Sequence, residues 1–372
     1  MRVEMLQRRL SERGEAAALI SSPENLRYFT GFYTWNALVP FALGLIPARG
    51  SAVLLVPRAD EALARAVARC ALEPYDPGTG GFRTTAELCR TVLDRGGGAD
   101  GAVAIESGTV PLDRARVLEE VLAPRRLTDA TATLSAIRLV KDPEEQQTLR
   151  HAAALVAAAM RQTVAHLHPG ISEIEIKAAI DLAVHTDGAR RWPDAIVQSQ
   201  TNVVSGGKLN RLHDAATGQT VGPGEMLFVL GDASVNGYRA NVARTLFVPG
   251  RAPSDDARRA LDAAAAAQRA AISRLIPGAL LREAVQAADD AVAACGLAGR
   301  RTYPLIRGLG LGIAERPRAA DAADLDLRLA PGMCMCVQLY VRQPAYIVGR
   351  SDSVLVTDDG PDVISEPRGE GG

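Results

Sequence analysis

Few side chains in this sequence combine a reactive type with a setting that chemistry could use. The 372 residues hold only five histidines, and His213 stands alone at the end of the loop that begins at Ser205. A histidine titrates near neutrality, so it can take and return a proton without a metal; a lone loop histidine also serves simply to hydrogen-bond its neighbours. Arg307 precedes the alternation Gly308-Leu309-Gly310-Leu311-Gly312. Its guanidinium could clamp a carboxylate through two parallel bonds, or lie on the surface. The glycine alternation itself lacks the Lys-Ser/Thr pair of a phosphate loop and the spacing of a dinucleotide fingerprint, so it does not point to a nucleotide. Cys334 and Cys336 share one strand face without a second Cys/His pair, which fits two small buried apolar groups rather than zinc.

Strands and helices must hold these residues. The sequence up to residue 136 reads as α/β. A charged amphipathic helix over 1–13 leads to an apolar run at 16–20 and a turn, Ser21-Ser22-Pro23-Glu24-Asn25. Buried strands follow at 51–56 and 102–105, with helix-period patterns at 59–71 and 84–93. The phrase Lys141-Asp142-Pro143-Glu144-Glu145 opens the next section, with Asp142 as N-cap, Pro143 at the first helical position and Glu145 at the third. From 137 to 372 the pattern is two helices (143–166, and one capped by Ser172 with Glu175), strands over 196–248, two more helices (254–275 and 280–295), then strands at 333–340 and 353–357. That order is an α+β duplication of architecture, with no repeat in the sequence to match it.

Composition bounds the function. Lys and Arg total 42 against 43 Asp and Glu, a net charge of −1, and 47% of residues are hydrophobic. This is an ordinary globular balance, which excludes a disordered tail and argues against nucleic-acid binding. No apolar stretch reaches the roughly 18 residues of a membrane span, and the charged start is not a signal peptide. Five scattered cysteines make no disulfide framework. The expectation is a two-domain cytoplasmic protein.

Several phrases resemble one family. They are Lys141 to Glu145, Pro169-Gly170-Ile171-Ser172-Glu173, the 205–213 loop, Gly224-Glu225-Met226-Leu227, Gly237-Tyr238 with Ala243-Arg244-Thr245-Leu246-Phe247, Pro331-Gly332-Met333, and Ser353-Val354-Leu355-Val356-Thr357. In this order they look like the pita-bread fold of creatinase, aminopeptidase P, prolidase and methionine aminopeptidase, behind a creatinase-type N-terminal α/β domain. The resemblance covers nearly the whole chain. It implies an α+β protein with domains at 1–136 and 137–372, and homodimers in which N-terminal apolar loops such as Trp35 with 38–41 reach the partner's site.

The peptidases of that family hold two divalent metals with two Asp, one His and two Glu. The matching positions here read Val229, Asn241, Leu309, Gln338 and Ser351. The expectation is therefore no metal and no other cofactor, with at most Asp232 or Asp352 as a stray ligand. What the resemblance retains is His213, which matches the general base of metal-free creatinase. Glu315 matches a Glu of the family's His-Glu-x-Pro phrase and is the candidate second acid/base group. Arg307, Asn241, Tyr238, Gln338, Arg244 and Trp35 form the candidate substrate shell, although a structural role is favoured for Arg244, which would brace a strand, and for Tyr238, which would pack with its hydroxyl within reach of the pocket. Asn241 and Gln338 can each donate and accept, which suits a neutral or zwitterionic small molecule. The leading expectation is a metal-independent enzyme acting on a C–N bond of a small polar molecule, as creatinase and ectoine-hydrolase-like members do, or a biosynthetic lyase or cyclase. The alternatives are an inactive binding module, as in the histone chaperone that shares the fold, and an Xaa-Pro peptidase.

Overall fold

The structure is a computed structural model that describes residues 2–33, 42–95, 101–303, 306–312 and 314–366. The chain divides into two compact units, Met1–Arg138 and Leu139–Gly372. The division falls beyond the one at 136/137 because the helix Thr131–Arg138 belongs to the first unit.

The first unit is built on a six-stranded sheet in the order Ala71–Tyr75, Val53–Pro57, Leu43–Pro47, Glu15–Ile20, Ala102–Ile105 and Leu127–Asp129. Its central strand, Glu15–Ile20, is buried along its whole length. It pairs antiparallel with Leu43–Pro47 and parallel with Ala102–Ile105, so the sheet is mixed. Two sequence expectations change here. The helix expected over 59–71 shortens to Glu61–Val67, because Ala71 starts a strand parallel to Val53–Pro57. The turn expected at 21–25 instead opens the helix Pro23–Thr30. Ser22 caps it by accepting from the Asn25 N–H, and Pro23 sits at its start.

The second unit carries the candidate site. Its helices Pro143–Ala165 and Glu173–Arg191 both start in complete capping boxes, Asp142 with Glu145 and Ser172 with Glu175, which satisfy backbone N–H groups that a helix start leaves unpaired. Asp255–Ile272 and Leu281–Ala294 form the second helical pair. The ten-stranded sheet runs in the order Glu315–Arg318, Ile306–Gly308, Cys334–Arg342, Ile347–Thr357, Tyr238–Phe247, Met226–Val235 and Val197–Ser199, with three short strands off this path.

Successive residues of a strand point to opposite faces, and the packing shows which face the helices cover. Met335, Val337, Leu339 and Val341 join Val348, Val354 and Val356 in one core with Ala260, Ala264, Ala267, Leu281 and Ala288 of the second helical pair. A side chain added at Gly231 would run into Val156 and Met160 of the long first helix. Each fully buried Val, Leu or Met contributes about 1.5–3 kcal/mol of transfer free energy, so this face holds the unit together. The residues between these positions are thereby directed to the other face.

One buried carboxylate ties the 205–217 segment to this framework. Glu173, at the start of its helix, is fully buried. It accepts from the Ser205 N–H and Oγ, from Lys208 Nζ, and from the Thr217 N–H and Oγ. Burial alone would raise its pKa, but the Lys208 ammonium and these donors outweigh it and hold the carboxyl below its ordinary value of 4.5. Its stabilisation is therefore present above the ordinary value and lost as pH falls through the lower folded value. Glu173→Gln should cost about 2 kcal/mol at pH 7 by urea unfolding, with a smaller difference at pH 3, because it takes the negative charge away from the Lys208 ammonium and leaves it only the neutral acceptors Ala215 O and Thr217 Oγ.

Candidate functional site

Strand register assembles a polar row on the face away from the helices. Asn241 lies opposite Asp232 on the neighbouring strand, and Ala243 lies opposite Ser351. Ser351 in turn faces Gln338, and Ser353 faces Cys336. Arg307 lies opposite Cys336. Five strands thus bring Asp232, Asn241, Ser351, Gln338 and Arg307 to one face. Arg239, two residues before Asn241, shares it by the same alternation.

The polar contacts are specific. Asn241 is completely buried, and its Oδ1 accepts from Ser351 Oγ at 2.8 Å and from the Cys336 thiol at 3.0 Å. Gln338 Oε1 accepts from Arg307 Nε at 3.2 Å, while its Nε2 donates to Tyr340 Oη at 3.3 Å. Asp232, 3% exposed, is engaged by Arg239 Nη2. Burial pushes the Asp232 carboxyl up to about 6 against the pull of the Arg239 and Arg307 charges. Both strand cysteines are buried, and burial pushes the Cys334 thiol up to about 12; Cys336, expected as a small apolar group, instead joins the polar row through Asn241 and Ser351.

Of the expected site residues, the register gathers Asn241, Gln338 and Arg307. It separates the others. Arg244 lies on the helix-covered face, where its Nη2 donates to Asp352 Oδ1 at 2.8 Å and its Nη1 to the carbonyls of Ser351 and Ala243; it braces strands. Tyr238 turns to the long first helix and donates to Glu145 Oε1 at 2.9 Å. Both therefore leave the substrate shell, and the reason is strand parity. Glu315 accepts from Lys141 Nζ at 3.2 Å and from the Gly312 N–H at 2.8 Å. Its oxygens come within 2.5–2.7 Å of where a Cβ at Gly310 would stand, so a larger residue there would push the Glu315 side chain aside. Trp35 and the apolar 38–41 segment lie outside the described residues.

His213 is exposed. It borders a surface cavity of about 440 Å³ with Leu212, Tyr303, Arg342 and Ile347. Its Nδ1 meets Tyr303 Oη at 2.9 Å, and the Tyr303 ring lies edge-on to Tyr340, with centroids 5.6 Å apart. Tyr340 receives the Gln338 amide, so a line of aromatic rings joins the histidine to the polar face. His213 and Glu315 have separate partners and share no hydrogen bond among the described residues. Tyr303 and Arg239 were not singled out in the sequence. Arg239 was open to discovery through its two-residue spacing from Asn241, whereas Tyr303 sits in an irregular segment at φ +67° with no local signal.

The metal positions of the resembled family can now be tested on the chemistry of the donors. Val229 pairs with Arg244 and points to the helix-covered face, so the residue that shares Asn241's face is Leu230. This corrects the expected match by one residue, again through strand parity. Leu230, Asn241, Leu309, Gln338 and Ser351 offer no anionic oxygen and no imidazole, which two hard divalent cations require. Asp352 is turned to the other face, and Asp232 is a single carboxylate. No group of three or more His, Cys, Asp or Glu among the described residues could hold a metal ion. The donor set does not fit a dinuclear metal pair.

Comparison with known proteins adds the family. The chain is 27% identical over 360 residues to the putative dipeptidase YkvY of Bacillus subtilis, covering 96% of this chain and 94% of that protein. It is 22% identical over 371 residues to the Xaa-Pro dipeptidase of Pyrococcus furiosus, covering 99% of each. Among solved structures, the prolidase from Pyrococcus horikoshii OT3 matches with a TM-score of 0.85 at 20% identity, covering 99% of both chains. These relatives are named as dipeptidases, which overturns the expectation of a metal-independent enzyme for a creatine- or ectoine-like molecule. The creatinase/prolidase N-terminal domain matches residues 2–140. Metallopeptidase family M24 matches residues 147–358, more than half of the chain, and it is to this family of hydrolases that the chain belongs.

Proposed function

We propose that this chain is directed at short peptides, as a hydrolase of the dipeptidase and Xaa-Pro dipeptidase kind. The observation that carries the proposal is the near end-to-end similarity to proteins named for that activity, on the same two-domain fold. The polar face suits such a ligand. A peptide presents carbonyl acceptors and charged ends, and the Asn241 and Gln338 amides with the Arg307 guanidinium offer donors to them. The second reading, a module that holds a peptide without cutting it, is favoured by one observation: the donor set at Leu230, Asn241, Leu309, Gln338 and Ser351 does not fit a metal pair. No step of the proposal runs through such a pair.

The deciding experiment follows Ala-Pro, Leu-Pro, Ala-Leu, creatine and ectoine by mass spectrometry, with calorimetric binding measured beside turnover. Release of free amino acids from the dipeptides, with creatine and ectoine untouched, is the expected result. Binding of dipeptides without release selects the holding module, and neither binding nor release overturns both readings. Elemental analysis after dialysis against manganese is a separate check. Below about one tightly held ion per chain is expected from neutral donors, and two per chain would show that the donor reading is wrong.

A further inference from the structure

Hydrogen bonding on the polar face is left open in one place. Four buried side-chain nitrogen or oxygen atoms on this face have no hydrogen-bond partner among the described residues: Asp232 Oδ2, Arg239 Nε, Asn241 Nδ2 and Arg307 Nη1. They come from three strands, Met226–Val235, Tyr238–Phe247 and Ile306–Gly308, so no single turn accounts for them. Buried polar groups are satisfied as a rule, because leaving one unpaired carries its full desolvation penalty. Four on one face, two of them on side chains at least 97% buried, mark a place for an occupant.

Charge and donor type say what the occupant is. Asp232 engages Arg239, and Lys141 engages Glu315. Among the described residues Arg307 hydrogen-bonds only the neutral Gln338 oxygen and closes no ion pair, although its charge acts on the Asp232 carboxylate. In the resembled peptidases the positive charge at this site comes from two metal cations and is balanced by four carboxylates. Here those carboxylates are gone and the cation present is a guanidinium, whose charge is permanent. The open donors are the Asn241 amide and the Arg307 and Arg239 guanidinium nitrogens, and the open acceptor is a carboxylate oxygen, Asp232 Oδ2.

Building on the peptide reading above, we propose that this face anchors a ligand's α-carboxylate on Arg307 Nη1 and Asn241 Nδ2, with the ligand's ammonium group held at Asp232 Oδ2. The guanidinium thus takes over as the positive anchor of the site. The ligand class is a zwitterion carrying a free α-carboxylate and a free amine, which a dipeptide and an amino acid both supply.

Calorimetric titration of the full chain with Ala-Pro, Ala-Pro amide, N-acetyl-Ala-Pro and free alanine and proline separates the cases. Removing a charge-assisted contact should weaken binding about tenfold or more, so the amide and the acetylated peptide should each bind that much more weakly than Ala-Pro. Arg307→Met should erase the preference for acid over amide, and Arg307→Lys should restore part of it. Should Arg307→Met fail to fold by circular dichroism, the capped peptides on the native chain carry the test alone. If Ala-Pro amide binds as tightly as Ala-Pro, the anchor is overturned and the peptide reading stands. If free amino acids bind with this dependence and dipeptides do not, the anchor stands and the peptide reading falls. Binding of none of them overturns both.

Discussion

The strict alternation of side chains along a strand governs this site. Helices in the second unit bury every second residue of the long strands, and the apolar identity of those residues is not negotiable: Val337, Leu339, Val354 and Val356 are fully or almost fully buried against helices. Their neighbours in sequence must then face the other way. Asn241, Ser351 and Gln338 are therefore gathered by the demands of packing on the opposite side. A one-residue slip in any of these strands would move its polar residue into the core and a valine or leucine into the row.

The same constraint sorts residues that look equivalent in the sequence. Arg244 and Arg307 are both arginines within or beside short sequence phrases, yet one closes an ion pair with Asp352 behind the sheet and the other reaches Gln338 in front of it. Tyr238 and Arg239 are adjacent, and only the arginine reaches the polar face. Around this row the supports are themselves polar networks. Glu173 fixes the segment that leads to His213, and Glu315, paired with Lys141, braces the glycine-rich loop after Arg307. These networks are buried enough that their internal partners matter more than solvent.

The chain also illustrates how far a peptidase scaffold can change at its centre without changing its fold. Charged ligands and their cations form a balanced set, and removing one partner alone would bury an uncompensated charge. Here the substitutions are concerted: an amide at Asn241 and at Gln338, a hydroxyl at Ser351, and leucine at 230 and 309. Neutral hydrogen bonds among Asn241, Ser351 and Cys336 tie the strands together where metal ligation does so in the resembled peptidases.

By itself the sequence determined the two-part architecture, the capped helices at Asp142 and Ser172 and the loss of the metal donors, because caps, turns and ligand types are local chemistry. It also carried Arg307, Asn241 and Gln338. It could not say which face of the sheet each residue would take, since that depends on the register between strands far apart in the chain. Hence Arg244 and Tyr238 were drawn into the substrate shell, Val229 stood where Leu230 belongs, and Tyr303 and Arg239 went unremarked. Nor could it reveal that His213 pairs with Tyr303, 90 residues away. Only the assembled sheet decided that the open polar atoms of Asp232, Asn241 and Arg307 would share one face, because hydrogen bonds between strands, and helices packed behind them, choose the side on which every residue falls.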